Sequence, residues 1–143
     1  MAIRQISVFV ENRKGSLVEI TRALSDADID LRAAAIADTQ DFGILRLIVS
    51  NTDKALETLR ATGRAVTVTD VVGVAVPDVP GGLSAVLETL SDASIAVEYM
   101  YAFNAGSGRD AYVALRVDDY GKAEQILWEK GIRLLSQSDA EAL

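Results

Sequence analysis

Apolar residues alternate with more polar or variable ones at Ile6, Val8 and Val10 and again at Val72, Val74 and Val76, the period-two pattern of a strand buried on one face. Gly15 and Gly81 break these strands, and the period changes. Leu17, Ile20 and Leu24, like Leu83, Val86, Leu87 and Leu90, recur at spacings of three and four, which predicts helices with one apolar face. A turn at Ser25–Asp28 or Ser91–Ser94 leads into an extended stretch from Ile29 or Ile95, and another strand is expected over Gly43–Val49 and Ala111–Val117. Thr52 or Asp53, and Asp118 or Asp119, are candidate caps of a second helix that ends at Gly63 or Gly131. Ala65–Thr69 and Ile132–Ser136 supply a fourth strand.

The pattern occurs twice because the sequence does. Laid over Val74–Ile95, the segment Val8–Ile29 is identical at nine of 22 positions, among them Gly15/Gly81, Leu17/Leu83 and the run Leu24-Ser-Asp-Ala27 over Leu90-Ser-Asp-Ala93. A two-residue slip, assigned to the loop Asn104–Arg109, then aligns Val49 with Val117, Lys54 with Lys122 and Leu59 with Leu127. Two units are too few for a solenoid. The expected fold class is therefore α+β: two ferredoxin-like βαββαβ units in tandem, each an antiparallel sheet with its helices on one face. Their expected extents are residues 1–69 and 70–143, meeting near Asp70 inside the extended run Ala65–Val76. Units of that size bury small cores and lean on each other or on a second chain, so an intimate pair and a homodimer are expected.

Composition narrows the chemistry. Half of the 143 residues are apolar and 24% are charged, the balance of a folded domain. Twenty-one acidic against fourteen basic residues give a net charge of −7, which opposes binding to nucleic acid or to an anionic membrane surface. With no cysteine and no histidine, the chain lacks thiolate sites, the usual zinc ligands and the commonest general base. No metal or cofactor is expected, and the chain reads as a non-enzyme. The start MAIRQISVFVEN lacks the features of a secretory signal and no apolar run reaches membrane-spanning length, so a cytoplasmic location is the expectation.

The superfold by itself gives no function. RNA recognition would want strand aromatics and a basic surface, metal chaperoning paired cysteines, and an acylphosphatase an arginine-bearing phosphate loop; Asn12 and Arg13 approach the last, but the second unit has Asp78 and Val79. The loops Glu11-Asn-Arg-Lys-Gly-Ser-Leu17 and Pro77-Asp-Val-Pro-Gly-Gly-Leu83 resemble the Asn-x-Pro-Gly-x-Leu loop that ends the first strand of ACT domains. The second loop is the closer match, because Lys14 stands where the family often has proline. The runs Leu24–Leu31 and Leu90–Val97 resemble the family's helix-end pattern, and Ile36–Arg46 resembles stand-alone tandem ACT proteins without a catalytic domain. The resemblance spans nearly the whole chain.

What it implies is a free amino acid or similar small carboxylate bound at the strand-to-helix loops, at an interdomain or dimer interface. A helix amino terminus holds a carboxylate on unpaired backbone amides. That chemistry nominates Asn12, Lys14, Gly15, Ser16 and Leu17 in the first unit and Asp78, Pro80, Gly81, Gly82 and Leu83 in the second, with Asn12 or Asp78 accepting from the ligand's ammonium group. A tight turn capped by Asn12 or Asp78 would explain the same glycines. Tyr99, Tyr101 and Phe103 fall where the first unit has Ala33, Ala35 and Ala37, so Tyr99 or Tyr101 is expected to touch the ligand or the facing domain, with core packing or a dimer interface as the alternative. Asp38 is a further ligand candidate, although aspartate is common in hairpin turns; Asp41 is of the same kind. Gly106–Gly108 reads as a hairpin tip, and Trp128 is expected to pack against neighbours unless it marks an interface. A ligand-free interaction module is the alternative function, and the effector protein is unknown.

Overall fold

The computed structural model describes residues 2–38, 41–103 and 108–143; the expected hairpin tip around Gly106 lies outside them. The described elements run β1 (Ile3–Glu11), α1 (Ser16–Asp26), β2 (Leu31–Asp38), β3 (Phe42–Val49), α2 (Thr52–Ala61), β4 (Val66–Pro77), α3 (Gly82–Asp92), β5 (Val97–Ala102), β6 (Asp110–Val117), α4 (Tyr120–Glu129), β7 (Arg133–Leu135) and α5 (Gln137–Glu141). This is α+β with two βαββαβ-like units, as the periodicities predict.

Every described neighbouring pair of strands is antiparallel, in the order β2-β3-β1-β4-β6-β5, and β7 also pairs with β4. The twelve-residue β4 serves both units. Its first half, Val66–Val71, pairs with β1, and its second, Val72–Pro77, pairs with β6. Thr69 and Asp70 lie within this unbroken strand.

Alternation along the strands sorts their side chains into three cores. Ile6, Val8, Val10, Leu45, Leu47 and Val49 meet Ile20 and Leu24 of α1 and Ala55 and Leu59 of α2. Val72, Val74, Val76, Val113, Leu115 and Val117 meet Val86, Leu90, Ala123 and Leu127 in the same way. The faces without these helices turn toward each other. Ile3, Ala33 and Ile48 from the first unit pack with Val71, Ala75, Phe103, Ala114 and Leu135 from the second, and Ala140 of α5 joins them. Gly73 leaves room in this core for the Ile3 side chain, whose Cδ1 a Cβ there would overlap. The open faces thus cover each other within one chain.

Four local features differ from expectation. Asn51, not Thr52 or Asp53, caps α2, its side chain accepting from the Lys54 amide, while Asp119 does cap α4. Asn51 lies one residue earlier than the sequence suggests because Thr52 is buried as the first helical residue. Leu17 is exposed, so the buried stripe of α1 is Ser16, Ile20 and Leu24. Trp128 is 70% exposed, which places it on the surface. Finally, α5 was not expected; Ser136 and Asp139 form a reciprocal capping box that starts it directly after β7.

Candidate functional site

The two strand-to-helix loops share one backbone conformation. Gly15 and Gly81 each cap a helix at φ 87° and ψ −8°, a left-handed geometry that glycine adopts without a Cβ penalty. Neither helix has a side-chain cap, so Asn12 and Asp78 do not fill the capping role that a plain turn would give them. The Ser16 and Gly82 amides turn back to the Arg13 and Val79 carbonyls, at 3.4 and 3.1 Å, and the amides that follow them in the first turn point out of the helix end. Within each loop Arg13 or Val79 donates its amide to the carbonyl two residues before it, at 2.9 and 2.8 Å.

At the first loop this geometry borders a cleft of about 230 Å³. Glu11, Asn12, Arg13 and Ser16 supply its polar rim, while Val10, Leu17, Ile36 and Phe42 supply apolar walls from β1, α1, β2 and β3. Exposed Leu17, Ile36 and Phe42 thus converge on one concavity. Phe42 is braced by Phe9, with ring centroids 5.5 Å apart. Ser16 is 2% exposed, and its hydroxyl lies 3.5 Å from Glu11 Oε2, at the outer limit of a hydrogen bond.

An ionic cluster stands beside the rim. Arg13 grips Glu19 through both terminal guanidinium nitrogens, at 3.2 and 2.9 Å, and Arg64 donates to Glu19 at 2.6 Å. Hydrogen bonds from Arg13 and then from Arg64 hold the Glu19 carboxyl down at about 2. Glu11 lies 3.8 Å from both arginines, so two positive and two negative charges balance.

At the second loop, Gly82 is pressed against the Pro77 carbonyl, which a Cβ would overlap. The Asp78 amide donates to the Arg109 carbonyl at 3.0 Å, and Val79 is exposed.

Of the expected site residues, Asn12, Ser16 and Leu17 line the cleft, and Gly15 shapes the loop between them. Lys14 is exposed beside Gly15. Asp38 ends β2 opposite Gly43, itself a wall of the cleft. Asp78, Pro80, Gly81, Gly82 and Leu83 form the second loop, away from this concavity. Tyr99 and Tyr101 face the other unit across the seam: the Tyr101 hydroxyl donates to Gln5 Oε1 at 2.7 Å, Gln5 Nε2 donates to the Tyr99 hydroxyl at 2.8 Å, and Arg46 lies 3.7 Å over the Tyr99 ring. Burial in this seam pushes the Tyr101 hydroxyl up from its ordinary pKa. The walls Ile36 and Phe42 escaped the loop-centred sequence reading, although apolar residues at strand ends beside a glycine loop are a usable signal.

A family model for the ACT domain pair matches residues 1–143. The chain belongs to the ACT domain pair family. ACT domains are typically amino-acid-binding regulatory domains, and the match indicates no catalytic family. This ACT pair is similar over its whole length to protein BT0572 from Bacteroides thetaiotaomicron, with 43% identity, 98% of that chain covered and a TM-score of 0.94. The regulatory subunit of aspartate kinase from Thermus thermophilus, in a ligand-free form, is 15% identical over 88% of this chain and 91% of that one, with a TM-score of 0.63. Its counterpart from Thermus flavus is 13% identical over 87% and 88%, with a TM-score of 0.61. At those identities the two kinase subunits share the fold alone. No curated protein matches. Among the described residues no helix of this ACT pair is long and apolar enough to cross a membrane.

Proposed function

We propose that this ACT pair is a non-catalytic cytoplasmic regulator that binds a free amino acid at a strand-to-helix loop. The observation that carries the reading is the cleft at the first loop, where a glycine-capped helix start and a polar rim meet apolar walls. Its volume of about 230 Å³ lies below the few hundred to a thousand Å³ usual for drug-sized ligands, which suits a molecule as small as an amino acid. The carboxylate would lie on the Leu17 and Val18 amides in the first turn of α1, beside the buried Ser16 hydroxyl, and the ammonium group toward Glu11 and Asn12. We retain residues 1–69 and 70–143 as the two domains, with the join inside β4.

Because β4 and the Gln5–Tyr99–Tyr101 hydrogen bonds tie the units together, we place the regulatory response in association between copies of the chain. A homodimer whose stability depends on the ligand, read by an effector protein, fits that constraint. A ligand-free interaction module is the second reading, favoured by the exposed Trp128 on α4.

A thermal-shift screen against the twenty amino acids, followed by calorimetry, tests the proposal. A ligand that binds only the folded state stabilises it by about 2.7 kcal/mol at a hundred times its Kd. No shift at millimolar concentration for any amino acid would overturn the amino-acid reading and leave the interaction module.

A further inference from the structure

The two loops share a backbone but not their surroundings, and the strand ladders make the comparison position by position. Phe42 lies opposite Glu11 in the β1–β3 ladder; the same place in the β4–β6 ladder, opposite Pro77, is held by Asp110. Ile36 lies opposite Leu45, and its counterpart opposite Val113 is Ala102. At the helix start, the buried Ser16 is matched by Gly82, which has no hydroxyl and no room for a Cβ. The second loop thus keeps Val76 and Leu83 in the places of Val10 and Leu17 but lacks the other two apolar walls and the hydroxyl. It has gained a second carboxylate, Asp110, near Asp78, and two acids repel a ligand's carboxylate.

The first cleft has the opposite character. Its charged neighbours are already satisfied: Arg13 and Arg64 are taken up by Glu19 and Glu11. No net charge remains in that cluster to select a charged side chain. Leu17, Ile36 and Phe42 instead leave apolar surface open to water, which a ligand's side chain can cover. Ser16 adds an almost wholly buried hydroxyl on the same cleft whose one protein partner stands at the limit of bonding distance.

Resting on the amino-acid reading above, we infer that the pair has one working site, at the first loop, and that this site selects an amino acid with an uncharged apolar side chain, held by Ile36, Phe42 and Leu17. The second unit serves as scaffold: it covers the open face of the first and carries no ligand of its own.

The test is calorimetric titration of the whole protein with L-valine, L-leucine, L-isoleucine and L-phenylalanine, set against L-serine, L-lysine and L-aspartate. At least one apolar amino acid is expected to bind roughly tenfold or more tightly than each polar one, since a single methylene in an apolar pocket is worth about 10- to 200-fold. The double variant Ile36→Ala/Phe42→Asp, which gives the first cleft the side chains of the second, is expected to weaken that binding by at least about tenfold. Both residues are exposed, and a melting curve without ligand checks that the variant folds; Ile36→Ala alone is the milder substitute. Equal binding of the polar amino acids, or affinity unchanged in a folded variant, overturns this inference and leaves the amino-acid reading intact. Failure of all seven to bind overturns the apolar selectivity, and only failure across all twenty overturns the amino-acid reading with it.

Discussion

The Tyr101 hydroxyl donates a 2.7 Å hydrogen bond to Gln5 Oε1 across the seam between the two units, and Gln5 itself is fully buried. A buried amide of this kind is tolerated only when its oxygen and its nitrogen both find partners. Gln5 meets that condition with Tyr101 on one side and with Tyr99 and Ser7 on the other. The seam is therefore keyed by hydrogen bonds as well as closed by apolar packing.

Tyr101→Phe removes the hydroxyl and strands the Gln5 oxygen. It should cost about 1–3 kcal/mol, the usual penalty for an unsatisfied buried polar group. Urea denaturation measures it. The double variant Gln5→Leu/Tyr101→Phe should lose less than the sum of the single losses, because it removes both polar groups together; additive losses would show that the two residues are uncoupled.

Gly82→Ala should destabilise the protein by more than about 1 kcal/mol, because its Cβ would overlap the Pro77 carbonyl oxygen, a backbone atom that cannot swing aside. Ser16→Gly, which brings the first loop to the second loop's residue, meets no such obstacle. Thermal melts of the two variants should differ accordingly, and equal melting points would contradict the close approach at Gly82.

Glu19 gives the molecule a defined acid limb. Its carboxyl is depressed to about 2 in the folded state by Arg13 and Arg64, so its contribution is fully present above the ordinary carboxylate pKa and is lost as pH falls toward about 2. Melting temperature should fall across that window in the wild type, and the fall should be shallower in Glu19→Gln. Added salt should reduce the difference, since the pairs are partly exposed. Identical pH profiles would mean that the cluster contributes nothing to stability.

Helix α5 acts as a clasp on the seam. The Gln137 side chain accepts from the Arg4 amide at 2.8 Å and donates to Thr52 at 3.1 Å, and Arg32 donates to the Glu141 carbonyl at 2.7 Å. Ser136→Ala removes the cap that starts the helix and should cost about 0.5–2 kcal/mol. Hydrogen exchange should then rise first in residues 137–141, ahead of α1 and α3.

Trp128 is the only tryptophan, so its fluorescence is unambiguous. At 70% exposed it should emit at the long wavelengths of a hydrated indole and be readily quenched by acrylamide in dilute protein. Protection that grows with protein concentration would place α4 in a contact between copies.

The duplicated periodicities were enough to fix the order of the elements of the two βαββαβ units, the glycine loops and all of the α1 face except Leu17, because each depends on residues close in sequence. Even Asp119 and the paired glycines Gly63 and Gly131, both at positive φ, were legible in this way. Helix α5 was not, since a five-residue helix shows no apolar period and is held by partners as remote as Arg4 and Arg32. Tyr99 and Tyr101 could be assigned to one strand face from alternation alone. What that face meets depends on how the sheet folds over at β4, and that is decided by contacts more than ninety residues apart, such as Gln5 with Tyr101. The same holds for the candidate site: the sequence marks two equivalent loops, and the second is the closer match to the family motif. Only the tertiary structure brings Ile36 and Phe42 to the first loop and Asp110 to the second, because strand register, and not sequence proximity, sets which side chains surround a helix start.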